Sequence, residues 1–394
     1  MKKKILIVSS SLSMGGLEKC LINFLDNINY DNYEVDLYLF NEGRALLEKL
    51  NKSVNLLDDS PYYACVYNYP IGKSIKTLIS KKKFSLAFYR VGRFIRARFK
   101  NKRFTKSDWK HMQKTMLKID KEYDVAIGFE EETACYYVAD CVNAKIKLGW
   151  IHTDIKKINS NRTLDEKAFS KLDKVLTVSN NSLNSLASLY PNLKDKFKVV
   201  PISRIVNDNE LIALSNEPND MLFEGNKILS VGRLVELKGF HLCVPALKKL
   251  IDDGYNVKWF VCGEGDFRKE IEEEIKRQGV ENEFILLGNC ANPYTFIKSS
   301  DICVQPSSYE GSSVAVFEEK YFQKPVVVTN IESNLELITS GVNCIIVERN
   351  EESIYQGVKM LLDNEELRNK IALNGIKGAT GSKEIIDQIE ELFN

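Results

Sequence analysis

Short apolar runs alternate with amphipathic, helix-length stretches along almost the whole chain. Candidate strands are Ile5–Val8, Val35–Phe40, Val54–Leu57, Tyr123–Phe129, Lys145–His152, Lys174–Val178 and Lys198–Val200. A second series holds Lys227–Val231, Val257–Cys262, Phe284–Leu287, Asp301–Gln305, Pro325–Thr329 and Cys344–Val347. Between them lie amphipathic segments such as Leu17–Leu25, His241–Ile251 and Val314–Phe322. Continuous Val/Ile/Leu runs divided by helices predict parallel strands buried on both faces. The architecture is therefore α/β and doubly wound, with two Rossmann-like domains. A polar interval from Asn207 to Asn226 reads as the connection between them. The expected division is a first domain over 1–205, a second over 206–376 and a C-terminal helix over 377–394, for which a return to the first domain is one course. Two such domains are expected to face each other across a cleft at the carboxyl ends of their strands, where open sheets bind ligands.

Composition agrees and removes some classes. At about 150 residues per domain, 394 residues suit two or three domains. With 44% hydrophobic and 28% charged residues, wholesale disorder is excluded. No apolar run reaches the roughly 18 residues of a membrane span. The start, Lys2-Lys3-Lys4 followed by Ile5–Val8, has too short an apolar stretch for a secretory signal, so a cytoplasmic location is expected. Nine cysteines, an odd number without a CxxC pair, read as buried free thiols in a reducing compartment.

Three loops carry candidate chemistry. Ser9 to Leu17 follows the first strand, and its Gly15-Gly16 lets backbone N–H groups approach a ligand at a helix start. It is neither GxGxxG nor a P-loop, and an ordinary strand–helix turn fits equally. Val231 to Phe240 leaves the first strand of the second series with Arg233 and Lys238, two cations suited to a diphosphate. Pro306 to Glu318 is the most specific. Ser312 or Ser313 caps a helix, free N–H groups at Gly311 to Val314 suit phosphate or sugar oxygens, and Glu310 and Glu318 suit paired hydroxyls. The plainer alternatives are a helix-dipole partner for Glu310 and a solvated helix face for Glu318.

Together these residues resemble family 4 of the glycosyltransferases, which have the GT-B fold. The resemblance rests on Gly15-Gly16, Gly232-Arg233 with Lys238-Gly239, Gly263-Glu264-Gly265, and Glu310 and Glu318 separated by seven residues and followed by Lys324-Pro325-Val326-Val327. It implies a nucleotide-sugar donor in the second domain, a UDP-sugar by the family's habit. Arg233 and Lys238 would neutralise the diphosphate, Glu318 would hold the ribose and Glu310 the donor sugar. Gly311, Ser312, Ser313 and Val314 would give backbone contacts, and residues near Gly263 and Leu287 to Asn289 would line the base pocket. His152, ending a predicted strand, stands where the family often has a histidine near the donor sugar; a neutral imidazole there hydrogen-bonds a hydroxyl or the reacting centre. A histidine satisfied at a strand end is the alternative, and His111 and His241 read as structural or solvated. The chain departs from the pattern around the donor sugar: Glu310-Gly311-Ser312-Ser313 lacks the common Phe and further Gly, and Asn330-Ile331-Glu332-Ser333 replaces a common Gly-Gly.

The resemblance further implies a retaining transfer, with the acceptor attacking on the face the leaving phosphate vacates. No Asp-x-Asp triplet and no metal-ligand spacing occur, so no metal or other cofactor is expected. Net charge is +1, but Lys73–Lys118 holds sixteen basic residues against Asp108 alone, a balance of +15 that leaves −14 elsewhere. Phe84, Phe88, Val91 and Ile95 recur there at helical spacing, so 73–118 reads as a basic amphipathic insertion for an anionic membrane surface. Nucleic acid is not an expected partner, since no recognition motif accompanies the charge. The expected function is transfer of a hexosyl or N-acetylhexosaminyl group to a lipid-linked or glycan acceptor on the inner face of the membrane. Capsule, exopolysaccharide, O-antigen or teichoic-acid synthesis is the setting implied. A GT-B-like sugar-nucleotide epimerase, or a non-catalytic membrane-surface or nucleic-acid-binding protein, is the alternative.

Overall fold

The computed structural model describes residues 2–13, 15–98, 105–206, 218–290, 292–310, 313–331, 338–375 and 381–394. The chain forms two compact units, one of Met1–Ile202 with Ile385–Asn394, the other of Ser203–Glu384.

The first unit is built on a parallel sheet of β1 (Lys3–Ser9), β2 (Tyr33–Leu39), β3 (Val54–Leu56), β4 (Glu122–Gly128), β5 (Asn143–Ile151), β6 (Lys174–Thr177) and β7 (Phe197–Val199). The strand order is β3-β2-β1-β4-β5-β6-β7. Ile5 to Val8 of β1 are fully buried, as a central strand covered by helices on both faces requires. On one face Phe24 of the helix Gly16–Asn27 stacks on Phe129 at 6.2 Å. On the other, Tyr38 of β2 meets Tyr137 of the helix Thr133–Cys141 at 5.1 Å. The chain's last residues complete this unit: Phe393 is buried edge-on against Tyr33 at 5.5 Å, and Lys3 Nζ donates to the Phe393 carbonyl at 2.9 Å.

The second unit has β8 (Asn226–Val231), β9 (Val257–Cys262), β10 (Phe284–Gly288), β11 (Ile302–Gln305), β12 (Val326–Thr329) and β13 (Ile345–Val347), ordered β10-β9-β8-β11-β12-β13. Trp259, Phe240 and Leu247 fill one face of it. All thirteen strands read from the hydrophobic pattern are present within about two residues. Cysteine usage differs from expectation. Seven cysteines are free, but Cys262 and Cys290 pair as a disulfide, because a bridge between Gly263 and Gly288 sets the ends of β9 and β10 side by side with Cα atoms 5.7 Å apart.

The basic insertion is more than one helix. Ile71–Ser80 and Phe84–Arg98 pack through Leu78, Leu86, Ala87 and Tyr89, and the predicted stripe of Phe84, Phe88, Val91 and Ile95 lies outside that core. A further helix, Lys106–Gln113, begins with a capping box between Thr105 and Asp108. Arg96 pairs with Asp108 at 2.7 Å and Arg90 donates to the Tyr69 carbonyl at 3.1 Å.

Phe393→Ala should cost about 3 kcal/mol of stability by emptying the Tyr33 contact; urea unfolding followed by fluorescence measures it, and a loss below about 0.5 kcal/mol would contradict a structural role for the C-terminal return.

Candidate functional site

In each sheet the strand order reverses once, between β1 and β4 in the first unit and between β8 and β11 in the second. The chains leaving two such strands turn in opposite directions, which opens a crevice at their carboxyl ends. The chemistry gathers at both reversals.

At the second, Gly232 N–H donates to Cys262 O at 2.9 Å and Gly263 N–H to Gly288 O at 2.8 Å. The loops run so close that a Cβ on Gly263 would lie 1.8 Å from Gly232 O, so only glycine fits there. Gly239, at φ 74°, closes the short turn Glu236–Lys238 and returns the chain past Pro306. Ser308 N–H then bonds Leu237 O at 2.7 Å, fixing the β8 and β11 loops to each other. This brings Lys238 against Glu310, and the two form an ion pair that shields both from solvent. Ser307 Oγ adds a hydrogen bond to the same Glu310 carboxylate at 2.8 Å. The predicted diphosphate cation and the predicted sugar carboxylate thus hold each other. Arg233, next to Gly232, is exposed, and Asn289 is exposed beyond Gly288.

The helix Val314–Tyr321 starts here, with Ser313 as its N-cap, accepting from Val316 N–H at 3.4 Å. Gly311 and Ser312 lie outside the described residues. Glu318 is buried and accepts from Tyr294 O–H at 3.1 Å, so it does not lie on a solvated helix face. Glu319, which the sequence reading passed over, is also buried and accepts from Gln305 Nε2 at 2.6 Å. Burial pushes Glu319 up to about 8, against the Gln305 hydrogen bond and the Lys238 cation. Burial likewise pushes Lys320 down to about 8. An amphipathic reading of Val314–Phe322 leaves its charged residues to solvent, whereas Glu318, Glu319 and Lys320 are all buried.

At the first reversal, Gly15 precedes the helix Gly16–Asn27 in an extended conformation and serves as its N-cap. His152 follows β5 with its ring 5.1 Å from Phe129 and 5.9 Å from Trp150. Burial pushes it down to about 4, so the imidazole is neutral at physiological pH. The sequence reading missed Glu130, Glu131 and Glu132, which follow β4 directly. Three acids in a row just beyond a buried strand were the available signal. Ser10 Oγ donates to Glu130 at 2.9 Å and His152 N–H to Glu131 at 3.1 Å. Burial pushes Glu130 up to about 8, with the Glu131 and Glu18 charges adding to it and Ser10 opposing. Burial raises Glu131 and Glu132 as well. The predicted site residues therefore fall into two groups: Gly15, Gly16 and His152 in the first unit, the others in the second.

Residues 217–378, most of the second unit, match the family model described as glycosyl transferases group 1. The chain is 27% identical over 169 residues to the capsular polysaccharide biosynthesis glycosyltransferase CapM of Staphylococcus aureus, covering 42% of this chain and 44% of that protein. It is 30% identical over 210 residues, 53% of this chain and 56% of the relative, to the N-acetylgalactosamine-N,N'-diacetylbacillosaminyl-diphospho-undecaprenol 4-alpha-N-acetylgalactosaminyltransferase of Campylobacter jejuni. The chain thus spans about half the length of these curated relatives. In structure it aligns over 99% of both chains with HepE from Anabaena in complex with UDP, at a TM-score of 0.66 and 17% identity. The fold is GT-B. Within GT-B, the lysine–glutamate pair and the enclosed helix mark the second unit, and the acidic run marks the first.

Carboxyls raised on folding stabilise the fold below their unfolded value near 4, and that contribution is lost as pH rises through the folded value. Glu130 and Glu319 both stand near 8, so stability should fall between about pH 4 and 8. In Glu130→Gln/Glu319→Gln, melting temperature should depend less on pH over that range; an unchanged slope by calorimetry would refute the assignment.

Proposed function

We propose that the protein is a glycosyltransferase that moves a sugar from a nucleotide-sugar donor, a UDP-sugar by preference, to a membrane-associated acceptor. The observation carrying this reading is the Lys238–Glu310 ion pair at the β8/β11 reversal, just ahead of the helix Val314–Tyr321 with its enclosed Glu318, inside the stretch that matches group 1 glycosyl transferases. Lys238 and Arg233 neutralise the leaving diphosphate, and N–H groups at the start of the helix Val314–Tyr321 add to them. Gly311 and Ser312, which precede Ser313 in the sequence, are given backbone contacts in the same reading. Glu318, held by Tyr294, takes the ribose hydroxyls, and Glu310 takes the donor sugar. Gly263 and Asn289 border the base. In the first unit Gly15 and Gly16 offer backbone N–H groups, and neutral His152 offers a hydrogen bond near the reacting centre. The transfer retains configuration, the acceptor entering on the face the phosphate leaves while that phosphate takes its proton. Neither metal nor other cofactor has a part in this scheme. HepE, crystallised with UDP, supports the choice of nucleotide.

Because Lys238 is paired with Glu310, a diphosphate competes with a carboxylate for it. Lys238→Ala and Glu318→Ala should each weaken UDP binding by about tenfold or more. Glu310→Gln should strengthen UDP binding by freeing Lys238, yet reduce the preference for UDP-sugar over UDP. Calorimetric affinities unaffected by Lys238→Ala and Glu318→Ala would overturn the donor site.

The acceptor reading, a lipid-linked or glycan acceptor of surface polysaccharide synthesis, rests on the names of the two relatives and on the basic insertion. Phe84 and Phe88 are 63% and 84% exposed, with Ile79 and Ile95 each about half exposed. Lys76, Lys81, Lys82 and Lys83 are exposed around them. Apolar side chains within a cationic field suit an anionic leaflet, at about 1 kcal/mol per cation near the surface. On this reading the protein works at the inner face of the membrane. Arg90 and Arg96 are held by Tyr69 and Asp108, so the lysines are the proper targets. The protein should sediment with phosphatidylglycerol vesicles, and charge reversal of Lys81, Lys82 and Lys83 with Phe84→Ser and Phe88→Ser should release it. A wild-type protein that stays in the supernatant at low salt would end the membrane reading.

A further inference from the structure

β8 and β11 are neighbours at the second reversal, but their backbone pairing stops at Leu229 and Cys303. Beyond that point side chains span the two strands. Ser230 Oγ donates to Val304 O at 2.7 Å, and Gln305 Nε2 donates to Val231 O at 3.2 Å. The same nitrogen donates to Glu319 Oε1 at 2.6 Å. One buried amide thus joins the last residue of β8, the last residue of β11 and the helix Val314–Tyr321. The Val231 carbonyl can only accept, so it fixes which end of the amide faces it, and both N–H groups of Gln305 are spent.

Two atoms are left over. Gln305 Oε1 and Glu319 Oε2 are buried and lack a hydrogen-bond partner among the described residues. They belong to the two groups that already share one hydrogen bond. With Glu319 ionised both are acceptors, and each carries a desolvation cost that nothing offsets. A proton on Glu319 Oε2 changes this, because the acid O–H can donate to Gln305 Oε1 while Gln305 Nε2 donates to Glu319 Oε1. An amide and a carboxylic acid close a ring of two hydrogen bonds in this way, and neither oxygen is then orphaned.

The surroundings favour the neutral acid. Burial, the largest effect, and the Glu318 charge on the same helix raise the carboxyl, against the Gln305 hydrogen bond and the Lys238 cation, to about 8. Cys303 of β11 has its thiol raised by burial and by the Glu319 charge, so it too disfavours ionisation. β12, which packs on the helix, has no titratable side chain. Lys320 is acted on by Cys344 and Arg204 instead, and Tyr294 is engaged with Glu318.

We propose that Glu319 is a positioning residue of the donor site, a neutral acid whose double hydrogen bond with Gln305 holds the loop carrying Arg233 and Lys238 to the helix carrying Glu318. Ionisation removes one of the two bonds and sets two bare oxygens against each other, which loosens that tie. A bound diphosphate cancels the Lys238 cation that favours ionisation, so donor and proton bind cooperatively. That the loop binds a diphosphate rests on the transferase reading; the acid–amide pair itself does not.

Two measurements on the full chain test this. At about pH 6, the infrared difference between wild type and Glu319→Gln should show the carbonyl band of a protonated carboxyl, and the band should vanish with a midpoint near 8. By calorimetry, wild-type UDP affinity should fall about tenfold between about pH 7 and 9 as the acid ionises. Glu319→Gln, which supplies an N–H in place of the O–H at every pH, should lack most of that fall. Lys320 titrates in the same range but is retained in the variant, so the difference between the profiles belongs to Glu319. Glu319→Leu, with neither donor nor acceptor, should bind UDP about tenfold more weakly than Glu319→Gln at pH 7. Absence of the band, parallel pH profiles, or equal affinities for the Leu and Gln variants would overturn the positioning role. A titrating band in a wild type that binds no UDP would sink the donor reading, and the positioning role with it, while the acid–amide pair stood.

Discussion

Everything chemical in this molecule depends on where strand order reverses. A parallel sheet buried on both faces has no room for charge along its strands, so polar groups concentrate where strands end. At most strand ends the following helix folds back and covers the exit. Between β1 and β4, and between β8 and β11, the two connections turn away from each other and leave the exit uncovered. The second unit places a cation, three carboxylates and a helix start there. The first places an acid run and a neutral histidine there.

The architecture was legible because burial on both faces imposes a crude rule on sequence. Val257–Cys262 and Ile302–Gln305 are apolar but for Lys258 and Gln305, as central strands buried on both faces require, and that is visible without any partner. The site was legible only as far as local spacing reaches. Glu310 and Glu318 could be singled out because one helix start relates them. Their surroundings depend on residues distant in the chain: Lys238 for Glu310, Tyr294 for Glu318, Gln305 for Glu319. Whether a charged residue in a short helix is solvated or enclosed is decided by those neighbours. Glu319 and Lys320 look like surface residues until the helix is seen to be buried. The Cys262–Cys290 pair has the same origin, since it follows from β9 and β10 lying side by side.

The net charge of +1 hides a deliberate separation. Basic residues crowd an insertion whose own small core, formed by Leu78, Leu86 and Tyr89, turns a second set of apolar side chains outward. A helix that served only to cover a core would bury its stripe of large apolar residues. Here Leu86 and Tyr89 face inward and Phe84 and Phe88 outward, so the helix has two apolar faces with different surroundings.

The last ten residues give the chain a particular order of assembly. Ile385, Ile389 and Phe393 belong to the unit that begins at the N-terminus, yet they emerge from the ribosome only after the whole of Ser203–Glu384. During synthesis the first unit therefore waits with Tyr33 uncovered while the second is being made and folded. Domains that mature in chain order separate their folding problems. Here the two are linked by timing: the earlier unit closes last, and a stalled or truncated chain would carry a complete second unit beside an unsealed first.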